Sequence, residues 1–451
     1  MALTAEAAQA RVDHPDGLFG AMADAARSLP PYQSVGRVTR LTGLMIESIG
    51  PRAKVGDRAD VWTAAGPLPA EVVGFRDGRV LLMPLGDGRQ VGPGNRVVAE
   101  GRPFTIRLGA QVLGRVLDGL GRPLDGGPDI RGEAWEVDRR PPSPLGRPVI
   151  QRPLGTGVRS IDALYTVGRG QRVGIFAGSG VGKSTLLGML ARATEADVAV
   201  ITLVGERGRE VRQFIDETLG PEALKRAVVV AATSDEPARV RIRAAQVGTT
   251  VAEYFRDQGK DVLLIMDSVT RYAMALREVG LAVGEPPTTR GYTPSVFAEL
   301  PRLLERAGRA EQGSITAFYT VLVDGDDLNE PVTDAVRSIL DGHFVLSRAM
   351  AEQGHYPPID PRKSLSRLMA QVAGPEHQAN AMELKRLWSL YEESADLIRI
   401  GAYAPGASPE LDRAVQARPA IEAFLRQAVG EGYGLEDTVA ALSGLAEGWR
   451  A

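Results

Sequence analysis

The sequence predicts an α/β fold in which a parallel sheet covered by helices lies between a small β domain and a helical domain. Four near-continuous apolar runs, "QRVGIFA", "VAVITLVGE", "AVVVAAT" and "DVLLIMD", alternate with helical patterns in the middle of the 451-residue chain. Runs without polar alternation are typical of strands buried on both faces, which is the environment of a parallel sheet. Closely spaced turn signals before these runs and long helical patterns after them complete the prediction.

Residues 1–30 are rich in alanine and predict a terminal helix. Leu18, Met22, Ala25 and Leu29 recur at helical spacing until "LPPY" ends the pattern. Two interpretations remain open for this segment. It is either a loosely packed terminal helix or a docking helix for a regulator or a membrane surface.

The remaining chain divides into three predicted domains. Residues 31–103 contain short β-branched pieces such as "GRVTRL" and "GRVLLMPL", separated by "FRDGR", "LGDGR" and "VGPGN", which predict a small β-barrel or sandwich. Residues 104–374 carry the alternation of strands and helices and form the chemical domain. Residues 375–451 include "MELKRLWSLYEESADLIRIG" and "ELDRAVQARPAIEAFLRQAV", which predict a helical C-terminal domain.

Composition excludes several classes of protein. A net charge of −3 lacks the basic excess of a dedicated nucleic-acid-binding protein. The absence of cysteine excludes disulfides and cysteine-ligated metals. Because the N-terminus has no secretion-signal pattern and no 18-residue apolar run occurs, we expect a cytoplasmic protein.

A phosphate-binding loop is predicted in "FAGSGVGKST", residues 176–185. The stretch matches the Walker A pattern G-x-x-x-x-G-K-[ST] except that Ala177 replaces the first glycine. Alanine costs little where the strand ends, because the glycines that follow keep the turn flexible. Lys183 would neutralise nucleotide phosphates and Ser184 would ligate Mg²⁺. The predicted nucleotide-binding residues of the loop are Gly178, Ser179, Gly180, Val181, Gly182, Lys183, Ser184 and Thr185.

Two acidic residues end neighbouring apolar runs. Asp267 closes "VLLIMD", where a Walker B aspartate orients the metal, and Glu206 follows "VITLVG". Glu206 could polarise the water that attacks the γ-phosphate, and Arg207 beside it could stabilise the transferred charge. Either acid alone is a common turn former. Together with the loop, they predict a site for Mg²⁺ and ATP.

Longer motifs resemble those of the type III protein-export ATPases of flagella and injectisomes, which are relatives of the catalytic subunit of the rotary ATP synthase. The resemblance extends from Val35 to the C-terminal helices. It implies a β-barrel N-domain, a RecA-like P-loop motor domain, a helical C-domain and a homohexameric ring. The motifs that carry it are "AGSGVGKST", "VGERGREVRQFI", "LLIMDSVTRYAMALREVGLAVGEPPTTRGYTPSVFAELPRLLERAG", "GSITAFYTVLVDGDDLNEP" and "HYPPIDPRKSLSR".

The resemblance also implies roles for individual residues. Lys183 and Ser184 act at the phosphates and Mg²⁺, Asp267 acts at Mg²⁺, Glu206 is the catalytic base and Arg207 acts on the γ-phosphate. In the noncatalytic subunits of the rotary relatives, the position that matches Glu206 is not a glutamate. Glu206 therefore favours an active enzyme that hydrolyses ATP to ADP and phosphate.

Two residues of "GHYPPIDPRKSLSR" gain roles from the same resemblance. Tyr356 matches the position whose ring stacks on adenine, and a rigid aromatic on a loop suits a base platform. Arg367 matches the finger that reaches into a neighbouring subunit's site. Without the resemblance, Tyr356 could equally be core filler and Arg367 a solvated surface arginine.

The implied partners are a negative regulator or stator protein at the N-terminus, a stalk protein in the ring, an export gate, chaperones and cargo proteins. No nucleic acid is expected, and the implied location is the cytoplasm, peripheral at the inner face of the cytoplasmic membrane. Four functions stay in competition: an export ATPase, which "LIRIGAY" and "AFLRQAV" favour as flagellar, a rotary synthase subunit, a RecA-like nucleic-acid translocase and a nucleotide-gated scaffold. Measured turnover, and its response to nucleic acid, would separate them.

Overall fold

The computed structural model describes Met22 and residues 34–323, 325 and 327–450. The helix predicted over residues 1–30 therefore lies, apart from Met22, outside the described residues. Among the residues from 34 onward, one compact unit consists of residues 34–82 and 89–102 and the other of residues 83–88 and 103–450.

The first unit is a closed barrel of six strands in the order β1-β2-β5-β4-β3-β6. Ala59 and Val61 of β3 are fully buried in the barrel interior, whereas the alternating residues Arg58 and Asp60 are partly exposed. This period of two is what the short β-branched segments predict, and closure of the sheet removes its free edges. The strands are β1 (Val35–Thr42), β2 (Met45–Ile49), β3 (Asp57–Thr63), β4 (Gly66–Arg76), β5 (Arg79–Pro84) and β6 (Arg96–Pro103).

The second unit is built on a nine-stranded sheet in the order β19-β18-β12-β17-β15-β13-β14-β8, with β16 paired to β17. The strands from β18 to β8 in this order run parallel, and β19 and β16 pair antiparallel. Two small sheets, β7 with β9 and β10 with β11, accompany it. The strands are β7 (Thr105–Leu108), β8 (Val116–Asp118), β9 (Glu133–Glu136), β10 (Pro153–Leu154), β11 (Val167–Gly168), β12 (Arg172–Ala177), β13 (Val198–Glu206), β14 (Ala227–Thr233), β15 (Asp261–Asp267), β16 (Gly308–Arg309), β17 (Ser314–Leu322), β18 (Gly342–Val345) and β19 (Leu365–Ser366).

Both faces of the parallel sheet are buried, as the apolar runs predict. In β13, Val200 and Val204 belong to one hydrophobic core, and Ile201 and Leu203 belong to the core on the opposite face. The α-helices are α1 (Arg159–Leu164), α2 (Lys183–Ala193), α3 (Gly208–Gln213), α4 (Gly220–Leu224), α5 (Ala238–Arg256), α6 (Val269–Val283), α7 (Pro294–Leu304), α8 (Pro331–Ile339), α9 (Arg348–Glu352), α10 (Met369–Val372), α11 (Pro375–Arg399), α12 (Pro409–Leu425) and α13 (Leu435–Arg450). A π-helix, Phe214–Leu219, separates α3 from α4.

The C-terminal segment is helical, as predicted, and it belongs to the same compact unit as the sheet. Leu384 and Trp388 of α11 and Phe424 of α12 share one core with residues of α1 and α2. The His377 ring also lies 2.8 Å from the carbonyl oxygen of Ala163. Within the described part of the chain, no helix has the length and apolar character needed to cross a membrane.

Candidate active site

The predicted phosphate loop joins β12 to α2 at the carboxyl edge of the parallel sheet. Gly180 and Gly182 have φ angles of 77° and 91°, in the left-handed region that glycine adopts without steric cost. Gly178 is not among the residues with positive φ. Such a turn, followed by a helix N-terminus, points successive backbone N–H groups toward one anion.

Ala177 is the last residue of β12 and is 1% exposed. It pairs in register with Leu322 of β17, and its oxygen accepts a hydrogen bond of 3.0 Å from the N–H of Val323. Its φ is not positive, so the backbone accepts an alanine without strain. The departure from the Walker A pattern therefore falls on a strand residue whose methyl group packs in the core.

Three charged side chains meet where β12, β15 and β13 end. The Lys183 ammonium group lies 2.5 Å from an oxygen of Asp267 and 3.7 Å from an oxygen of Glu206. The Thr320 hydroxyl donates a hydrogen bond of 2.7 Å to the same Asp267 oxygen. The structure thus brings together the loop lysine and both strand-end acids, because the carboxyl ends of parallel strands share one edge.

The cluster also changes the acidity of its members. Burial, and then the charge of Asp267, raises the pKa of Glu206 to about 7, although Lys183 acts in the opposite direction. Burial alone would lower the pKa of Lys183, but Asp267 and Glu206 outweigh it and the pKa is raised. Lys183 therefore stays charged, and Glu206 can exchange a proton near neutral pH.

A cavity of about 180 Å³ opens onto this cluster and is lined by Ser184, Glu206 and Asp267, among others. Glu210 of α3 also lines it and shares a hydrogen bond with Glu206. Sequence reasoning did not single out Glu210, which follows Glu206 by four residues in "GERGRE".

Known proteins share this architecture over almost the whole chain. The Flagellum-specific ATP synthase of Bacillus subtilis is 53% identical over 418 residues, which cover 92% of this chain and 95% of that protein. The chain belongs to the type III protein-export ATPases. The prediction from its motifs is confirmed, and the protein is an ATPase.

Other comparisons agree with this assignment. The Flagellum-specific ATP synthase of Pseudomonas aeruginosa is 54% identical and the match covers 94% of this chain and 96% of that protein. The assembled ATPase EscN from the type III secretion system of enteropathogenic E. coli superimposes with a TM-score of 0.87, at 46% identity, over 91% of this chain and 100% of that chain. Residues 157–366 match the nucleotide-binding domain of the ATP synthase alpha/beta family, and residues 373–444 match the T3SS EscN ATPase C-terminal domain.

Both arginines predicted for this export ATPase have exposed side chains and lie outside the cluster of Lys183, Glu206 and Asp267. The Arg207 side chain is 77% exposed and donates a hydrogen bond of 3.1 Å to Glu210. The exposed Arg367 follows β19, and its backbone N–H bonds to the oxygen of Asp341, just before β18. Since β18 runs parallel to β12, Arg367 lies at the amino edge of the sheet, opposite the phosphate loop.

Tyr356 lies beside the phosphate loop of the export ATPase. A Cβ atom added at Gly182 would be 3.4 Å from Cε1 of the Tyr356 ring. The side chain is nevertheless 44% exposed, so it is not core filler. Cε1 and Cδ1 are the ring atoms nearest the loop, and the exposed part of the side chain leaves surface for a ligand.

Proposed function

We propose that this export ATPase works as a homohexameric ring that energises protein export through a flagellar type III apparatus. The proposal rests on the contact of Lys183 with Glu206 and Asp267, two acids that line one cavity. Flagellum-specific relatives are 50 to 54% identical, and type 3 secretion system ATPases are 46 to 50% identical. This difference favours the flagellar apparatus.

The residues present fit a nucleotide bound with Mg²⁺. Within the described ranges, no group of three or more His, Cys, Asp or Glu residues could hold a metal by itself. Mg²⁺ commonly binds one or two protein ligands together with substrate phosphates, and the Ser184 hydroxyl and the Asp267 carboxylate supply that set. The ion would neutralise phosphate charge. The backbone of residues 178–185 and the Lys183 ammonium group would hold the phosphates.

Individual side chains of this protein would then have separate roles in ATP hydrolysis. Glu206 accepts a proton from the attacking water, and its pKa of about 7 matches that task. The Tyr356 ring holds the adenine. Arg207 can act on the γ-phosphate only if its side chain leaves Glu210, so that role stays a prediction.

The position of Arg367 supports a ring. An arginine at the amino edge of the sheet cannot reach the loop at the carboxyl edge of the same subunit, whereas a neighbouring subunit could present one to that site. EscN has been solved assembled and in complex with its central stalk EscO. We infer a comparable ring with a stalk protein for this chain. The regulator at residues 1–30, the export gate, the chaperones and the cargo remain expectations, as does a cytoplasmic location at the inner face of the membrane.

A gene replacement tests the biological role. We expect a strain that carries Glu206→Gln in place of the wild-type gene to make the protein, stop exporting flagellar subunits and lose swimming. The matched control is Glu352→Ala, an exposed position on α9, which should swim normally. Normal swimming with failed effector secretion would assign the protein to an injectisome. Normal function of both systems would contradict the proposal, and strong stimulation of turnover by RNA or DNA would favour a translocase.

A further inference from the structure

The segment of residues 346–359 forms a closed loop next to the phosphate loop. Leu346 and Ile359 form an antiparallel bridge at its two ends. The N–H of Ser347 donates a hydrogen bond of 2.8 Å to Pro358, and that of His355 donates one of 2.9 Å to Met350. We call these residues the bracket segment, which also contains the short helix α9.

The bracket segment contacts the phosphate loop at two separate points. The Arg348 guanidinium group donates a hydrogen bond of 3.2 Å to the carbonyl oxygen of Ser179. The Tyr356 ring lies against Gly182, at the other end of the loop. In addition, the N–H of Leu346 donates to Phe176 in β12 at 2.8 Å, which fixes the start of the segment to the strand that leads into the loop.

The first half of the loop has little other support. A Cβ atom added at Gly180 would meet no atom within 4 Å. A cavity of about 180 Å³, lined in part by Gly178, Arg348 and Lys363, lies between the loop and α9. Within the described ranges, Arg348 is the one side chain that donates a hydrogen bond to the carbonyls of residues 178–182.

The hydrogen bond from Arg348 also affects the orientation of the peptide group between Ser179 and Gly180. The bond between Ser179 and Gly180 is trans, so the oxygen of Ser179 and the N–H of Gly180 point in opposite directions. A glycine with no neighbours can rotate this peptide at low cost. Holding the oxygen on one side therefore also fixes the direction of the N–H on the other side.

We propose that Arg348 is a positioning residue that turns the N–H of Gly180 toward the nucleotide phosphates by holding the oxygen of Ser179. The proposal rests on the proposed role of the loop as the phosphate site. Arginine suits the task because its charge persists at any working pH and strengthens the hydrogen bond. Since Arg348 is exposed and water competes for the bond, we expect a moderate effect on phosphate binding.

Binding of ADP and of adenosine to the full-length protein tests the proposal. We expect Arg348→Ala to weaken ADP binding about tenfold in isothermal titration calorimetry, the size of one charge-assisted hydrogen bond. Adenosine, which has no phosphate, should bind to the wild type and to the variant with equal affinity. Arg348→Lys keeps a donor and should recover most of the ADP affinity. Glu352→Ala on the same helix is the matched control and should match wild type in ADP affinity and melting temperature.

Several outcomes would overturn the proposal. These are an unchanged ADP affinity of Arg348→Ala, an equal loss of affinity for adenosine, or a fall in kcat with an unchanged KM.

The variant Lys183→Ala distinguishes failure of this proposal from failure of the proposed function. If Lys183→Ala binds ADP as wild type does, the loop is not the phosphate site. If Lys183→Ala loses ADP binding and Arg348→Ala does not, the loop assignment stands and only the role of Arg348 is wrong.

Discussion

Lys183 is the residue on whose charge the site depends most, because the carboxylates of Asp267 and Glu206 both face it. We expect Lys183→Ala to abolish hydrolysis, since no other residue of the cluster carries a positive charge to the phosphates. Ala177→Gly should change turnover by less than about tenfold, or 1.4 kcal/mol of barrier, because position 177 belongs to the strand. Steady-state hydrolysis by purified proteins measures both. A larger effect of Ala177→Gly would show that the first position of the loop shapes the phosphate site.

Glu206 should act on the attacking water and contribute little to binding of the ground-state nucleotide. We expect Glu206→Gln to bind ATP with near-normal affinity and to hydrolyse it at least about 100-fold more slowly, which is a typical contribution of a general base. Nucleotide binding and single-turnover hydrolysis should be measured on the same preparation. Asp216→Asn, at an exposed carboxylate on the π-helix, is the control and should retain activity. Near-normal turnover of Glu206→Gln would remove this residue from the role of base.

Residue types at strand ends predicted the centre of the site but not its surroundings. Asp267 and Glu206 were predictable because both end apolar runs, and parallel strands bring such ends to one edge. Arg348 was not, because its contact with Ser179 joins residues 169 positions apart and no local pattern marks it. The resemblance assigned Arg207 and Arg367 to different sites but gave no positions for them, whereas the structure places Arg207 against Glu210 at the cavity and Arg367 at the opposite edge of the sheet.

At the scale of elements, the bracket segment is joined to the C-terminal helices through His355. Its ring lies 5.9 Å from that of Trp388 in α11, edge to face, and His355 is 3% exposed. The N–H of Gln427, just after α12, donates a hydrogen bond of 2.9 Å to the oxygen of Tyr356. The helices that follow residue 374 therefore help to hold the residue that lies beside the phosphate loop.

This packing predicts a pH dependence of stability. Burial lowers the pKa of His355 to about 4, with Arg426 and Arg418 acting in the same direction and Glu422 against them. An unfolded chain binds a proton at a histidine below about pH 6.5, so stability from a neutral buried histidine is lost as pH falls from about 6.5 toward 4. Between about pH 7.5 and 5 this loss amounts to about 2 kcal/mol.

Urea unfolding of wild type and His355→Phe at both pH values measures the effect. Phenylalanine keeps an aromatic ring against Trp388 and does not titrate, so the variant should lose about 2 kcal/mol less than wild type on acidification. The comparison cancels the contributions of the other histidines. Equal losses in the two proteins would show that the pKa of His355 is the same in the folded and the unfolded chain.

The N-terminal segment gives a further prediction at this scale. We expect removal of Met1 to Ser28 to leave a folded ATPase that no longer associates with its regulator and assembles abnormally. Calorimetric melting and co-purification from cell extract test the two parts. A much lower melting temperature of the truncated protein would make the segment part of the folded core and reject the docking role.

The sequence predicts whether each element is a helix or a strand better than it predicts which elements pack together. Unbroken apolar runs required a sheet covered on both faces, and the alternation of β13 between two cores shows why. The predicted boundary near residue 375 did not show where the C-terminal helices would pack. An amphipathic pattern reveals that a helix has a face to bury but not which surface covers it, and here that surface belongs to the same compact unit as the sheet.

At the scale of the whole molecule, catalysis should be shared between subunits. The loop, Glu206 and Asp267 lie at the carboxyl edge of the sheet, and Arg367 lies at the amino edge. A guanidinium group stays charged and can bind two phosphoryl oxygens at once, which a lysine cannot. Fingers supplied by a neighbour are worth about 10³ to 10⁵ in rate, so specific activity should rise steeply as protein concentration drives ring assembly.

Mixing two inactive variants is a direct test of whether two subunits share one catalytic site. Lys183→Ala and Arg367→Ala should each be inactive alone, but a mixed ring contains interfaces where an intact loop faces an intact arginine. We expect ATP hydrolysis to return in part when the two proteins are mixed, in proportion to the mixed hexamers seen by native mass spectrometry. Mixed hexamers without activity, or normal hydrolysis by Arg367→Ala alone, would contradict it.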